Sequence, residues 1–283
     1  MFIRTLDERR RAGAEKVLCE GRARSTRFLT IPDGMGFSMS DVRVADGMSS
    51  VLWYRHHWEA NYIVAGRGTV RDLERDRSWP LVPGTLYTVG PKDRHLVDPD
   101  DDLHVVSVFN PPLAGDEAHD SDGSYPPTGP VPEGRERMFV RTVDELIRQG
   151  RQLSVAGGSA TTVRMLLRDD RVGFSLSDVR LAAGSRNVLW YRHHREANYV
   201  LDGTGEVTDL GSGETWKMEP GMMYCVGPED RHSMHARSDL HLLSVFCPAL
   251  TGDEQHDAEG TLAASGDALP PGPGRPASGS ERA

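Results

Sequence analysis

No stretch of this sequence stays apolar for the roughly 18 residues that a membrane-spanning helix needs. The first residues, Met1 to Arg11, are polar and contain no apolar segment of the kind found in secretory signal peptides. We therefore expect a cytoplasmic protein with no membrane partner.

Cysteine and basic charge are also scarce. The three cysteines, Cys19, Cys225 and Cys247, lack the spacing of zinc or redox motifs, which argues against a disulfide framework. Lys and Arg number 33 against 42 Asp and Glu, so the formal net charge is −9. No basic stripe stands out, and nucleic acid is not an expected partner.

The sequence does contain a long internal repeat. The segment V-L-W-Y-R-H-H-W-E-A-N-Y at 51–62 returns at 188–199 with one residue changed, an offset of 188 − 51 = 137. The same offset relates Tyr87 to Tyr224 and His95 to His232. One offset held over many matches indicates two copies of one domain, too few for a solenoid.

Composition predicts where the copies meet and where they end. Proline and glycine are dense between the copies, and the last residues are rich in Gly, Pro, Ala and Ser but poor in large apolar groups. We predict an N-terminal domain at 1–125, a linker at 126–137, a C-terminal domain at 138–260 and a disordered tail at 261–283.

Each copy consists of short strand-like segments separated by glycine and proline, which is typical of an all-β sandwich or barrel. A short helix is expected to open each copy, near 5–13 and 142–150, and Thr142 with Glu145 fits a capping box. The predicted strands of the first copy are 37–44, 59–64, 86–89 and 105–109.

The spacing within each copy fits the two motifs of cupins, which are double-stranded β-barrels. The first motif keeps its glutamate as Glu59, but Trp53 and Arg55 stand where two histidines are usual. The second motif keeps its histidine as His95. The second copy repeats both frames. We predict two tandem cupin β-barrels, a bicupin, with short N-terminal helices.

Longer segments of each copy resemble ectoine synthase, and the resemblance covers nearly all of each copy except the linker and tail. In the first copy these segments are 54–62 (Y-R-H-H-W-E-A-N-Y), 83–87 (P-G-T-L-Y), 93–95 (D-R-H) and 108–119. The resemblance implies a lyase that closes an N-acetylated diamino acid into a six-membered cyclic amidine with loss of water.

In that family a metal is held by Glu, Tyr and His, with Fe(II) the first choice and Zn(II) the alternative. These side chains suit a borderline metal, and three protein ligands leave positions open for substrate or water. Carried over by position, the implied metal ligands are Glu59, Tyr87, His95, Glu196, Tyr224 and His232.

The resemblance also implies roles for other residues of the cavity. The implied catalytic residues, as acid–base groups, are Tyr54, Glu117, His119, Tyr191, Glu254 and His256. The implied substrate-binding residues are Arg27, Ser107, Phe109, Arg164, Ser244 and Phe246. An arginine at this place could clamp a carboxylate.

Two histidine pairs, His56-His57 and His193-His194, look like metal ligands but are interpreted otherwise. Adjacent residues on a strand point to opposite faces, so a pair cannot easily share one metal. We predict that one histidine of each pair is buried and packs or supports the site.

Several positions depart from the family pattern. The family tryptophan, threonine, cysteine and lysine are replaced by Ala23 and Ala160, Val42 and Val179, Ser107 and Ser244, and Arg55 and Arg192. We place these changes on the substrate side and predict retained metal chemistry on an amino-acid-derived amide, with a substrate different from the ectoine precursor. An authentic ectoine synthase is the next interpretation.

Two other classes stay open: an Fe(II) cupin oxygenase, disfavoured by the missing histidine pair, and a non-catalytic small-molecule-binding cupin. Two linked copies are expected to form an intramolecular pseudo-dimer, and further homo-oligomers stay open. Trp58 corresponds to Arg195, so the mouths of the two cavities are predicted to differ.

Overall fold

Short strands joined by turns make up most of the chain. The computed structural model describes residues 1–18, 21–155 and 158–272. The elements of the first copy are β1 (Phe2–Thr5), α1 (Leu6–Arg11), β2 (Glu15–Leu18), β3 (Ala23–Leu29), β4 (Ser38–Val44), β5 (Ser50–Leu52), β6 (Trp58–Ala65), β7 (Gly68–Asp72), β8 (Arg77–Leu81), β9 (Thr85–Val89), β10 (His95–Pro99) and β11 (Leu103–Asn110). Short 3-10 turns cover Ile31–Asp33 and Arg168–Asp170.

The second copy repeats this order of elements. They are β12 (Phe139–Thr142), α2 (Val143–Arg148), β13 (Gln152–Val155), β14 (Ala160–Leu166), β15 (Ser175–Leu181), β16 (Arg186–Leu189), β17 (Arg195–Asp202), β18 (Gly205–Asp209), β19 (Thr215–Met218), β20 (Met222–Val226), β21 (His232–Ala236) and β22 (Leu240–Cys247). All four strands predicted for the first copy are present as β4, β6, β9 and β11.

The strands of each copy form a seven-stranded and a four-stranded antiparallel sheet. In the first copy the orders are β12-β9-β6-β11-β4-β3-β2 and β5-β10-β7-β8. In the second they are β1-β20-β17-β22-β15-β14-β13 and β16-β21-β18-β19. Side chains from both sheets of a copy, such as Ile63 and Val70, share one core. This is the double-stranded β-barrel that the sequence predicts.

The opening strand of each copy lies in the sheet of the other. β12 pairs with β9 of the first copy, and β1 pairs with β20 of the second. The predicted division at 126–137 therefore does not separate two self-contained sheets. The strand pattern predicts that these segments are extended, but it does not specify the edge with which they pair.

A helix follows each exchanged strand, as predicted. The hydroxyl of Thr5 accepts a hydrogen bond from the amide of Glu8, and Thr142 does the same for Glu145. Each threonine thus satisfies an amide at the exposed start of its helix.

The seven-stranded sheets are buried on both faces because the two copies pack against each other. On β6, Glu59 and Asn61 point into the barrel, whereas Ala60 and Tyr62 belong to a core that joins both copies. Across this contact the ring of Phe28 meets Tyr199 edge-on, with centroids 5.3 Å apart. Each buried large apolar side chain stabilises the contact by about 1.5–3 kcal/mol.

Part of the predicted tail packs onto the second barrel. Leu262 is 2% exposed, Ser265 is also buried, and Asp267 forms an ion pair with Arg168. The predicted boundary at 260 was wrong for residues 261–272, because Leu262 fills an apolar position of the barrel core. The prediction for 273–283 lies outside the described residues.

Two further expectations concern the cysteines and membrane-spanning helices. Cys225 and Cys247 are free and buried, whereas Cys19 lies outside the described residues. No helix in the described ranges is long and apolar enough to cross a membrane.

Candidate functional site

Each barrel encloses a cavity between its two sheets. The cavity of the first copy measures about 100 Å³ and that of the second about 70 Å³. Both are lined mainly by apolar side chains with a few polar groups among them. The polar groups of the first cavity come from Ser25, Arg27, Ser50, Tyr54, Glu59, Asn61, Tyr87, Ser107, His119 and Tyr125.

Strand register places several of these groups in one row across the seven-stranded sheet. Arg27 on β3 lies opposite Ser40 on β4, which lies opposite Ser107 on β11. Ser107 lies opposite Asn61 on β6, and Asn61 opposite Tyr87 on β9. Residues paired across a sheet share a face, so this row points into the barrel. The second copy has the same row.

Two of the three predicted metal ligands of the first copy line this cavity, and the third lies beside the ring of one of them. Glu59 and Tyr87 line the cavity, and the ring of His95 lies 6.2 Å from that of Tyr87, centroid to centroid. The Oε2 atom of Glu59 and the Nε2 atom of His95 are buried without a hydrogen-bond partner. Unpaired buried polar atoms of this kind are rare and point to a missing ligand.

The histidine is oriented for ligation. Nδ1 of His95 lies 3.1 Å from the carbonyl oxygen of Asp93 and donates to it, which leaves the Nε2 lone pair free. Burial lowers the pKa of His95 to about 4, so the imidazole is neutral. Burial raises the pKa of Glu59 to about 8, and a bound cation would reverse that cost. The residues therefore fit a metal ion.

The second copy differs in two respects, because only Glu196 of its predicted ligands lines the cavity and Tyr224 has a hydrogen-bond partner. Oε2 of Glu196 and Nε2 of His232 are also buried without partners, and His232 and Tyr224 lie 5.9 Å apart, centroid to centroid. The hydroxyl of Tyr224, however, donates to the sulfur of Met234 at 3.3 Å. In the described ranges no three His, Cys, Asp or Glu side chains could hold a metal, so each proposed set depends on its tyrosine.

The predicted acid–base tyrosine and histidine meet in both copies. The hydroxyl of Tyr54 lies 3.0 Å from Nε2 of His119, and Tyr191 lies 3.0 Å from His256. Burial, followed by the charge of Arg27, lowers the pKa of His119 to about 4. The neutral imidazole accepts the hydrogen bond from Tyr54 at Nε2 in the tautomer that carries its proton on Nδ1.

The predicted catalytic glutamates lie elsewhere. The carboxylate of Glu117 accepts hydrogen bonds from the amides of Ala114 and Gly115, and Glu254 caps the matching turn. Neither residue lines a cavity. Both carboxylates thus hold the turn that carries the histidine two residues later, rather than facing a reacting group.

The predicted substrate-binding residues lie in the cavities. Arg27 donates to the hydroxyls of Ser25 at 3.2 Å and Ser40 at 3.1 Å. Phe109 packs edge-on against Tyr54, with centroids 5.2 Å apart. Arg164, Ser244 and Phe246 line the second cavity in the same way.

Asn61 and Tyr125 are among the polar residues of the first cavity that the sequence did not predict. Asn61 accepts a hydrogen bond from Ser107 at 2.5 Å and keeps a buried amide nitrogen without a partner. Its position two residues after Glu59, on one strand, could have revealed it. Tyr125 reaches Arg27 from the end of the predicted N-terminal domain, and no local pattern indicates that contact.

One histidine of each pair is buried, as predicted. His57 bonds to the hydroxyl of Thr128 at 3.0 Å, and His194 contacts two backbone carbonyls. Trp58 does not lie at a cavity mouth, because its ring packs between the copies and its N–H donates to Pro132. The prediction that the two cavity mouths differ at the position of Trp58 was therefore wrong.

The substitutions relative to the family divide into two groups. Ala23, Val42 and Ser107 line the first cavity. Arg55 does not, because it pairs with Asp120 at 2.5 Å on the surface. Its placement on the substrate side was therefore wrong, and the same holds for Arg192, which pairs with Glu259.

Comparison with known proteins agrees with the two-copy organisation. Residues 1–129 and 138–265 each match the family model described as ectoine synthase. The L-ectoine synthase of Oceanobacillus iheyensis is 37% identical over 123 residues, which are 44% of this chain and 94% of that protein. The L-ectoine synthase of Desulfatibacillum aliphaticivorans is 40% identical over 126 residues, 44% of this chain and 97% of that protein.

A solved structure covers both copies together. Oxalate decarboxylase from Bacillus subtilis, a protein with Mn(II) centres, matches with a TM-score of 0.62 over 88% of this chain and 78% of that one, at 13% identity. Likeness at this identity shows the fold alone, which is a pair of cupin barrels.

Proposed function

Because the chain belongs to the ectoine synthase family, we propose that it is a metal-dependent cyclising dehydratase acting on an amino-acid-derived amide. The observation that carries the proposal is the pair of buried, unpartnered atoms, Glu59 Oε2 and His95 Nε2, with Tyr87 lining the same cavity as Glu59 and lying beside His95. The curated relatives are L-ectoine synthases, and each aligns with the length of one copy.

Glu59, Tyr87 and His95 would hold the metal, with Fe(II) as our first choice and Zn(II) as the alternative. Carboxylate, phenolate and imidazole form a donor set that suits either ion. The bound metal would act as a Lewis acid toward the amide carbonyl oxygen. Glu196, Tyr224 and His232 offer the same donors in the second copy.

The side chains around the ligands suit the remaining tasks. Arg27 lies at the opposite end from Tyr87 in the row of polar side chains that crosses the sheet. There it would bind a carboxylate of the substrate. The neutral imidazole of His119 would receive a proton that leaves the attacking amine through the hydroxyl of Tyr54, and would return it to the departing oxygen. The mainly apolar walls limit the access of bulk water, which would reverse the reaction.

The proposed reaction balances without an oxidant. The amine nitrogen forms a bond to the amide carbon, its two protons pass to the carbonyl oxygen, and the C–O bond breaks to release water. A cyclic amidine remains. The small side chains of Ala23 and Val42 in the cavity favour a substrate other than the ectoine precursor. We retain a cytoplasmic location as part of the proposal.

The test is turnover followed by mass spectrometry. N-acetylated diamino acids are incubated with metal-loaded protein, and a product lighter by one water is expected. The double variant Glu59→Ala, Glu196→Ala should lose turnover, whereas Glu74→Ala, at an exposed glutamate, should retain it. Either single variant should keep roughly half if the two copies are equally active on the substrate tested.

Two outcomes would contradict the proposal. Full turnover in the double variant would remove the metal from the reaction. A product that gains oxygen, with oxygen consumed, would favour the oxygenase alternative.

A further inference from the structure

The two cavities differ at one aromatic position. Tyr125 and Leu262 are related by the repeat offset, 262 − 125 = 137, and both line their cavities. Most other lining differences are exchanges of similar size and polarity, such as Ser25 for Thr162. The loss of Tyr125 removes both a large ring and a hydroxyl.

In the first cavity Tyr125 stands at the centre of an aromatic cluster. Its ring stacks on His119, with centroids 4.3 Å apart and planes 12° apart. It also packs against Tyr54 at 5.3 Å and Phe109 at 5.7 Å, centroid to centroid. Its hydroxyl accepts a hydrogen bond from Nη2 of Arg27 at 2.9 Å. Tyr125 therefore supports both the arginine and the histidine of the site.

The charge of Arg27 opposes the rise in the pKa of Glu59, but among the described residues no carboxylate lies within ion-pair distance of this arginine. This side chain is 2% exposed and bonds only to neutral hydroxyls, those of Ser25, Ser40 and Tyr125. Its Nε atom is also buried with no hydrogen-bond partner. A buried cation without a counter-ion is costly and is expected where an anionic ligand binds.

In the second cavity the corresponding charge is balanced. Nη1 of Arg164 lies 3.1 Å from Oε2 of Glu254, and Nη2 donates to the backbone oxygen of Glu254 at 2.7 Å. Burial would raise the pKa of Glu254, but hydrogen bonds from Thr251 and Gly252 lower it overall, so the group stays ionised. Glu117 accepts the matching pair of backbone amides in the first copy, but in the described part of the chain it forms no ion pair with Arg27.

We propose that the two barrels are not equivalent: the first binds a carboxylate-bearing ligand through Arg27 and Tyr125, and the second does not. Glu254 neutralises Arg164 from outside the cavity lining, and Leu262 makes that end of the smaller cavity apolar. The second barrel then suits a ligand without a carboxylate. This asymmetry rests on the proposed function only for the chemical class of the ligand.

The test is calorimetric titration of Zn(II)-loaded protein with ectoine, and with acetate as a minimal carboxylate. One ectoine per chain is expected. Arg27→Gln should weaken binding at least tenfold, and Tyr125→Leu should weaken it in the same direction. Arg164→Gln should leave the affinity within about twofold. Arg67→Gln, at an exposed arginine, controls for the loss of charge, and thermal unfolding verifies that each variant is folded.

Three results would overturn this inference. They are two equivalent ectoine sites per chain, equal losses in Arg27→Gln and Arg164→Gln, or no binding of either carboxylate to the intact protein. Failure of the proposed reaction is a separate outcome: one ectoine bound at Arg27, with no dehydrated product from any amide tested, leaves the asymmetry standing and removes the catalytic proposal.

Discussion

The hydroxyl of Tyr199 donates a hydrogen bond of 2.7 Å to the carboxylate of Asp41, 158 residues away in the other copy. The reciprocal bond joins Tyr62 to Asp178 at 2.5 Å. Both aspartates are almost fully buried, and each also accepts a hydrogen bond from a histidine. A matched pair of buried polar contacts thus joins the two copies, beside a large apolar core that both share.

Removing these hydroxyls should loosen the contact between copies. Tyr199→Phe deletes one donor to a buried carboxylate and keeps the ring, so we expect a loss of about 1.5–3 kcal/mol in the free energy of unfolding. Urea denaturation measures it. Combining Tyr199→Phe with Asp41→Asn isolates the pairwise term, and strict additivity of the two losses would contradict the interaction.

The same carboxylates should contribute to acid sensitivity. Burial would raise the pKa of Asp41, but hydrogen bonds from His104 and Tyr199 lower it overall, and the pKa of Asp178 is lowered in the same way. An aspartate in an unfolded chain titrates near about 3.9. The unfolded state therefore binds more protons, and this stabilisation is present above about pH 4 and is lost as the pH falls through the lower folded values.

Melting temperatures across pH test this expectation. The double variant Asp41→Asn, Asp178→Asn should melt lower than the parent at pH 7, and its melting temperature should fall less steeply below about pH 4. Parallel curves for variant and parent in the acid range would contradict the assignment.

A third prediction concerns the exchanged strand β12. Arg141 donates to both carboxylate oxygens of the buried Asp170, at 2.6 and 2.7 Å, and so ties this strand to the second copy. Arg141→Ala should lower the free energy of unfolding by about 1–3 kcal/mol, because a buried carboxylate loses two donors. Arg67→Ala breaks an exposed pair with Asp101 and should change little. Equal shifts of the denaturation midpoint in the two variants would refute the distinction between the buried pair and the exposed pair.

A fourth prediction concerns metal content, independent of turnover. Glu59→Gln should lose half of the tightly bound Fe(II) or Zn(II), as should Glu196→Gln, and the double variant should lose all of it. Each substitution removes an ionised oxygen donor from one barrel only. Elemental analysis after gel filtration gives the stoichiometry, with Glu74→Gln as control. Unchanged metal in the double variant would place the ion elsewhere.

The sequence by itself determined the two-copy plan, the barrel class and the residues of the candidate metal site. The offset of 137 and the spacing of Glu59 and His95 are local features of the chain, and strand periodicity carries Asn61 to the same face as Glu59. Thr5 and Thr142 cap helices because capping depends only on neighbouring residues.

Tertiary structure alone decided which edges and side chains meet. The exchange of β1 and β12 and the burial of Trp58 between the copies depend on contacts far apart in the chain. Contacts distant in sequence also decide that Arg27 bonds to Tyr125, whereas Arg164 pairs with Glu254. Strand patterns repeat identically in both copies, so the sequence pattern could not show that one buried arginine has a carboxylate partner and the other does not.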